Sequence, residues 1–226
     1  MNHNGNVFAE QRNGKEAKQN DDPHFQFSIK SLLKSDDPIP DDENKVKRVS
    51  DHFRQIMILL GLNMNDDSLK ETPDRVAKMY VEEIFSGLNP RHKPTVTLFE
   101  NSYKYNEMLI EKNITLYSYC EHHFVPIVGK AHVAYISKGK IIGLSKINRL
   151  VEYYSKRPQV QERLTNQIAE GLKEALNTDD VAVVIDAVHF CVASRGVKDS
   201  NSSTITSHYG GKFSRSEVKN EFLSFI

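Results

Sequence analysis

Two cysteines occur in the whole chain, and each stands beside histidine: Cys120-Glu121-His122-His123 in one place, His189-Phe190-Cys191 in the other. Thiolate and imidazole are the preferred protein ligands of zinc. Cys120 and His123 are close enough for a single turn of chain to present both to one ion. Cys191 lies far along the sequence, and no further cysteine exists to complete a four-ligand structural site. A fold that uses these residues together must bring a distant strand back to the turn of the first motif. Three protein ligands then leave one position for water, the arrangement of a hydrolytic metal centre. Without a metal, the same residues read as two unrelated buried thiols or a single disulfide.

His122 and His189 stand next to these candidate ligands without being needed as ligands. An imidazole of near-neutral pKa beside a metal suits proton transfer. The alternative is plain hydrogen bonding in the core or around the ligands.

Lysine plus arginine and aspartate plus glutamate number 30 each, so the formal net charge is zero. That gives no support for nucleic-acid or membrane partners. An anion site must therefore come from local placement of a few cations. Arg75, Lys78, Lys146, Arg149 and Arg195 are the candidates, although each taken alone reads as solvated surface. Ser145 and Lys146 at a helix start combine backbone donors with a cation, which suits phosphate. Glu162 can accept two hydrogen bonds from the N–H edge of a guanine if it faces a pocket; on a helix such a carboxylate is usually just exposed. Met1 to Lys15 is polar, without the apolar stretch of a secretory signal, and no apolar run approaches the length of a membrane span. A cytoplasmic chain with reduced thiols is expected.

Residues 1–43 are dominated by polar residues and contain the acidic, proline-broken run Asp36 to Glu43, so a flexible tail is expected there. Only Phe25 to Leu33 offers an apolar patch. Residues 44–93 read as a helical region. Val46, Val49, Phe53, Ile56 and Leu60 recur at helical spacing up to Gly61. Thr72-Pro73 reads as an N-cap and first helical residue, opening a helix that turns Val76, Met79, Tyr80 and Ile84 inward and stops at Gly87. Residues 94–226 read as the catalytic domain. Strands are expected at Thr95–Phe99, Ile114–Tyr119, Val181–Val188 and Thr204–Thr206, with a hairpin of Lys130–Ile136 and Lys140–Leu144 around Lys138-Gly139. Ser145 is expected to cap a helix burying Ile147, Leu150, Val151 and Tyr154. A second helix follows with Val160, Leu164, Ile168 and Leu172 on one stripe, and Gly210-Gly211 reads as a turn. The fold class is α+β.

Several segments together resemble the signature of the GTP cyclohydrolase I family. They are Cys120 to Pro126, Gly143 to Arg149, Arg157 to Leu164, His189 to Gly196, Thr72 to Tyr80 and Thr204 to Thr206. They stand in family order, and the resemblance runs from about residue 45 to the C-terminus. It implies a tunnelling fold (T-fold): an antiparallel sheet with helices on one side, preceded by N-terminal helices and assembled as a homodecamer. It implies conversion of GTP to 7,8-dihydroneopterin triphosphate and formate, the first step toward tetrahydrofolate or biopterin. Carried over residue by residue, Cys120, His123 and Cys191 hold Zn2+, while His122 and His189 are the acid–base groups. Glu162 anchors guanine with backbone help near Gln161, and Ser145 faces the ribose. Lys146, Arg149 and Arg195 meet the triphosphate, joined by Arg75 and Lys78 from a neighbouring subunit. Tyr119 and His208-Tyr209 fall where the family varies.

Two other chemistries compete with this reading. A thiol-nucleophile enzyme on the same fold would need no metal, and a zinc module that only binds a partner would not consume GTP. The His-x-Glu and Pro-Cys-x-x-Cys pattern of a nucleobase deaminase is absent.

Overall fold

A computed structural model describes residues 41–226. The expected tail lies outside the described residues, Phe25 to Leu33 included, up to its last three positions. Those already belong to the first helix, α1 (Asp42–Leu59), with Asp41 as N-cap. The Asp41 carboxylate accepts from the Asn44 backbone N–H at 2.9 Å. Asp42 and Glu43 add negative charge to the first turn, where the helix dipole favours it. The helix therefore starts earlier than its apolar periodicity. It ends before Gly61, whose φ of +80° suits a residue without a Cβ.

The second helix, α2 (Thr72–Lys78), departs from expectation at both ends. Glu71 occupies the N-cap position and makes no side-chain cap, so Thr72 is already helical and Pro73 follows it inside the first turn. Proline costs nothing there, because its missing N–H would have had no helical partner. At the other end the helix widens into a π-helical turn, Met79–Ile84. The Phe85 N–H reaches back to the Tyr80 carbonyl at 3.1 Å.

The main sheet has five strands in the order β5-β2-β3-β6-β7. These are β2 (Met108–Cys120), β3 (Pro126–Ile136), β5 (Pro158–Gln159), β6 (Val181–His189) and β7 (Thr204–Tyr209). Short β5 joins β2 in parallel, and the other neighbours are antiparallel. The expected hairpin around Gly139 is a chain reversal without a shared ladder. Both edges of β3 are taken by β2 and β6, so β4 (Lys140–Ile142) pairs instead with β1 (Leu98–Glu100). Ser137 Oγ ties the reversal by donating to the Lys140 carbonyl at 2.8 Å.

Helices α3 (Leu144–Ser155) and α4 (Gln161–Leu176) cover one face of this sheet. Leu116, Val133, Tyr135, Val183 and Ile185 meet Ile147, Leu150, Leu164, Ile168 and Leu172 in one core. Gly143 is the N-cap of α3, so Ser145 lies two residues too deep to cap it. The alternate residues of the strands, Ala134, Ile136, Ala182 and Val184, turn to the opposite face. There they pack on Phe213 and on Phe222 of α6 (Ser216–Phe225), a helix for which the sequence reading had no expectation. The outcome is α+β, as expected.

This topology gathers three chain ends in one place. Cys120 is the last residue of β2, and it lies opposite Gln159 of β5. Across β3, Ile127 lies opposite His189, the last residue of β6. The tight turn after β2 and the exit of β6 are thus neighbours in space.

Candidate metal centre

The turn between β2 and β3 is closed by its own backbone. The Phe124 N–H donates to the Cys120 carbonyl at 2.8 Å, and the Cys120 N–H donates to the Val125 carbonyl at 2.9 Å. Phe124 takes the left-handed conformation, φ +53°, to reverse the chain. Its ring packs against Phe85 at 5.0 Å and Tyr80 at 6.1 Å between centroids, so the π-helical turn buttresses the ligand turn from outside. Opposite, β6 passes into α5 (Phe190–Ala193), one turn of helix that carries Cys191. Cys191 was expected on the strand itself; it stands two residues beyond the strand end, inside α5.

The turn and α5 bring one ligand atom each from Cys120, His123 and Cys191 within 4.8 Å of one another. Both thiols are free. The Cys120 sulfur lies 3.8 Å from His123 Nδ1 and 3.7 Å from His122 Nδ1. Burial pushes the Cys191 thiol up, and the neighbouring Cys120 sulfur adds to that shift. Two sulfurs and one imidazole nitrogen facing one point fit a soft divalent cation such as zinc.

His189 is held differently. Its Nε2 meets Gln161 Oε1 at 2.7 Å. The Gln161 amide nitrogen donates to the carbonyls of Thr204 at 2.7 Å and Ile185 at 3.2 Å, and reaches Thr206 Oγ1 at 3.1 Å. Two carbonyl partners fix which end of the amide is nitrogen, so its oxygen must face His189. The Nε2 of His189 therefore carries a proton and donates to Gln161, and whenever the ring is neutral Nδ1 is its acceptor. Burial lowers the His189 pKa, while the Glu162 carboxylate nearby pulls it back up. The sequence reading singled out Gln161 for its backbone; the structure also uses its buried side chain.

A family model for GTP cyclohydrolase I matches residues 49–226. The chain belongs to the GTP cyclohydrolase I family. It is 58% identical over 205 residues to "GTP cyclohydrolase 1" of Flavobacterium johnsoniae, covering 91% of this chain and 92% of the relative. It is 55% identical over 187 residues to the protein of that name from Serratia proteamaculans, covering 82% and 85% of the two chains. The Aliivibrio fischeri protein of the same name is 55% identical over 185 residues, covering 81% and 85%. Membership gives the tunnelling fold to the α+β architecture described above.

Around the metal group, this member of the GTP cyclohydrolase I family assembles some sequence candidates and leaves others apart. Glu162 is exposed in the first turn of α4, beside His189. Arg195 follows α5 and lies close enough to Cys191 for its charge to act on the thiol. Ser145 and Lys146 sit in the first turn of α3. Arg149, one turn further on, opens onto a cavity of about 500 Å³ shared with Lys112, Tyr117, Glu152 and Lys156. Arg75 and Lys78 lie on α2, and Arg75 pairs with Glu71 at 2.8 Å. Among the described residues, neither is hydrogen-bonded to the metal group. Glu121 and Arg163, absent from the sequence candidates, form an ion pair beside the ligands. Nothing in their spacing announces it, because it joins the ligand turn to a different helix.

Proposed function

We propose that this protein converts GTP and water to 7,8-dihydroneopterin triphosphate and formate, using zinc held by Cys120, His123 and Cys191. The observation that carries this reading is the sulfur–sulfur–nitrogen cluster. It stands in a chain 58% identical to a protein named for that activity. Bound there, zinc supplies Lewis acidity that makes water a nucleophile near neutral pH.

The chain's own residues do the rest. Glu162 accepts from the N–H edge of guanine, with backbone groups near Gln161 beside it, and so aims C8 at the metal group. His189 is presented with a free Nδ1, and exposed His122 stands on the other side of Cys120. Between them they move the protons that opening the imidazole ring at C8 requires. Water addition at C8 gives a formamide, a second water releases formate, and ring closure onto the rearranged ribose expels one water. Several proton transfers in series explain why two imidazoles flank the metal group. Ser145 faces the ribose. Lys146, Arg149 and Arg195 hold the triphosphate, with Arg75 and Lys78 supplied by a neighbouring subunit of a homodecamer. The exposure of Arg75 and Lys78, neither of them hydrogen-bonded to their own chain's metal group, supports that role.

Residues 44–93 would then be an assembly arm and 94–226 the catalytic unit. The product places the enzyme at the first step toward tetrahydrofolate or another pterin. Two free thiols support a cytoplasmic location, and no helix among the described residues is long and apolar enough to cross a membrane. Incubation with GTP, with and without prior chelation, tests the reading. Formate and oxidised fluorescent neopterin should appear together, vanish on chelation and return with zinc. A folded, zinc-loaded protein that yields neither would overturn it.

A further inference from the structure

The ion pair between Arg163 and Glu121 is the centre of a buried polar chain that ends at the ligand turn. Glu121 stands between Cys120 and His122, and its carboxylate accepts from the Arg163 guanidinium. The two side chains are only 26% and 14% exposed, so solvent screens the pair weakly. The other carboxylate oxygen lies 3.7 Å from His122 Nε2. Arg163 is itself fixed. Its Nε donates to Gln159 Oε1 at 3.0 Å, and it also donates to the Pro158 carbonyl at 2.9 Å. Gln159 is buried, and its amide nitrogen donates to Gln167 Oε1 at 2.9 Å and to the Tyr154 carbonyl at 2.8 Å. Buried Arg157 reaches the same Gln167 oxygen at 3.3 Å. The backbone repeats the tie, because the Glu121 N–H donates to the Gln159 carbonyl at 3.0 Å.

The side chains that hold Glu121 are anchored in regular structure or the core, whereas the ligand turn between β2 and β3 spans only five residues, from Glu121 to Val125. We propose that Arg163 is a positioning residue for the metal centre. By clamping Glu121 it fixes the turn that presents Cys120 and His123, and so sets how tightly the site holds its metal. The first turn of α4 then does three jobs with consecutive residues. Gln161 orients His189, Glu162 faces the substrate site, and Arg163 holds the ligand turn. The guanidinium fork is essential to this job, since it contacts Glu121, Gln159 and Pro158 at once, which an ammonium cannot do in one geometry. The inference rests on the metal reading of the Cys120–His123–Cys191 group.

The test measures zinc affinity of purified protein by competition with a chromophoric chelator. The cobalt-substituted spectrum serves as a second readout. Wild type, Arg163→Met, Arg163→Lys, Glu121→Gln and the Arg163→Met/Glu121→Gln double variant are compared. Removing a partner that orients metal ligands typically weakens metal binding about 10- to 100-fold. That loss is expected for Arg163→Met, a smaller one for Glu121→Gln, and partial recovery for Arg163→Lys. The double variant should be no worse than Arg163→Met alone. The cobalt bands should shift and broaden, while the metal-free melting temperature of Glu121→Gln stays near wild type. Unchanged zinc affinity and cobalt spectrum in Glu121→Gln, or fully additive losses in the double variant, would overturn the proposal. If Arg163→Met does not fold, Glu121→Gln decides alone. Failure of the wild type to bind zinc would instead refute the metal reading itself.

Discussion

Helix α4 and helix α1 are both amphipathic, yet they treat their apolar stripes in opposite ways. Leu164, Ile168 and Leu172 of α4 are fully buried against the sheet. On α1 only Ser50 and Met57 are buried. Ile56 is 48% exposed, Leu59 85% and Leu60 72%, although the sequence periodicity places Ile56 and Leu60 on an inward face. The stripe instead borders an open groove of about 430 Å³ lined by Val49, Phe53, Ile56, Tyr80, Phe85 and Phe124. Apolar patches of this kind mark interaction surfaces. The part of the chain that builds the metal group therefore completes its own core. The helical arm carries a pattern written for a surface it does not cover by itself, as the proposed decamer requires.

The largest expected effect lies on the self-sufficient side. Cys120→Ser or Cys191→Ser should remove zinc and bring formate release to the assay floor, with far-ultraviolet circular dichroism unchanged. Metal-free variants that still release formate would show that the cluster is structural. Next in size is packing. Leu164→Ala should cost about 2–5 kcal/mol in urea denaturation, as large-to-small core changes do. Leu59→Ala should change the stability of the dissociated chain by less than about 0.5 kcal/mol, and should show up instead as smaller particles in sedimentation. Equal destabilisation by the two would erase the contrast between the helices.

A smaller effect is expected at Glu162. Glu162→Gln should cost about 1.5–3 kcal/mol of GTP recognition, the worth of hydrogen bonds to a charged group. That would be read in kcat/KM for GTP against ATP. An intact preference for GTP would remove Glu162 from the guanine site.

The smallest effect is a pH dependence of stability. Burial lowers the pKa of His132, with Lys130 and Lys112 adding to the shift and Asp186 opposing it. Burial also lowers His208, where Lys173 adds and Glu170 opposes. Above about pH 6.5 both imidazoles are neutral in the folded and unfolded chain, so neither contributes a slope. Below it the unfolded chain takes up protons that the folded chain refuses. Stability should fall with pH until the depressed folded values are passed. Denaturation midpoints from pH 8 to pH 5 in wild type and His208→Asn should show the variant's fall to be shallower. Parallel curves would acquit His208.

What the sequence made legible follows the range of the interactions. The α4 stripe from Leu164 to Leu172 and the run from Val181 to Val188 are local periodicities, and both elements formed where expected. The grouping of Cys120, His123 and Cys191 came from ligand chemistry, which needs no register. Thr72 and Ser145 were misplaced as caps because a capping residue one or two positions off looks the same in sequence. The Gly139 hairpin failed because strand partners are chosen across the sheet, where β3 was already flanked. Gln161 holding His189 and Arg163 holding Glu121 were invisible for the same reason. Each contact is made between elements far apart in sequence, and a lone glutamine or arginine carries no sign of it.

The most direct test of the central claim is a titration of metal-free protein with zinc, following formate release from GTP at each step. Turnover should rise in proportion to added zinc and level off at one ion per chain. Full turnover before any zinc is added, or none after the sites are filled, would contradict the account.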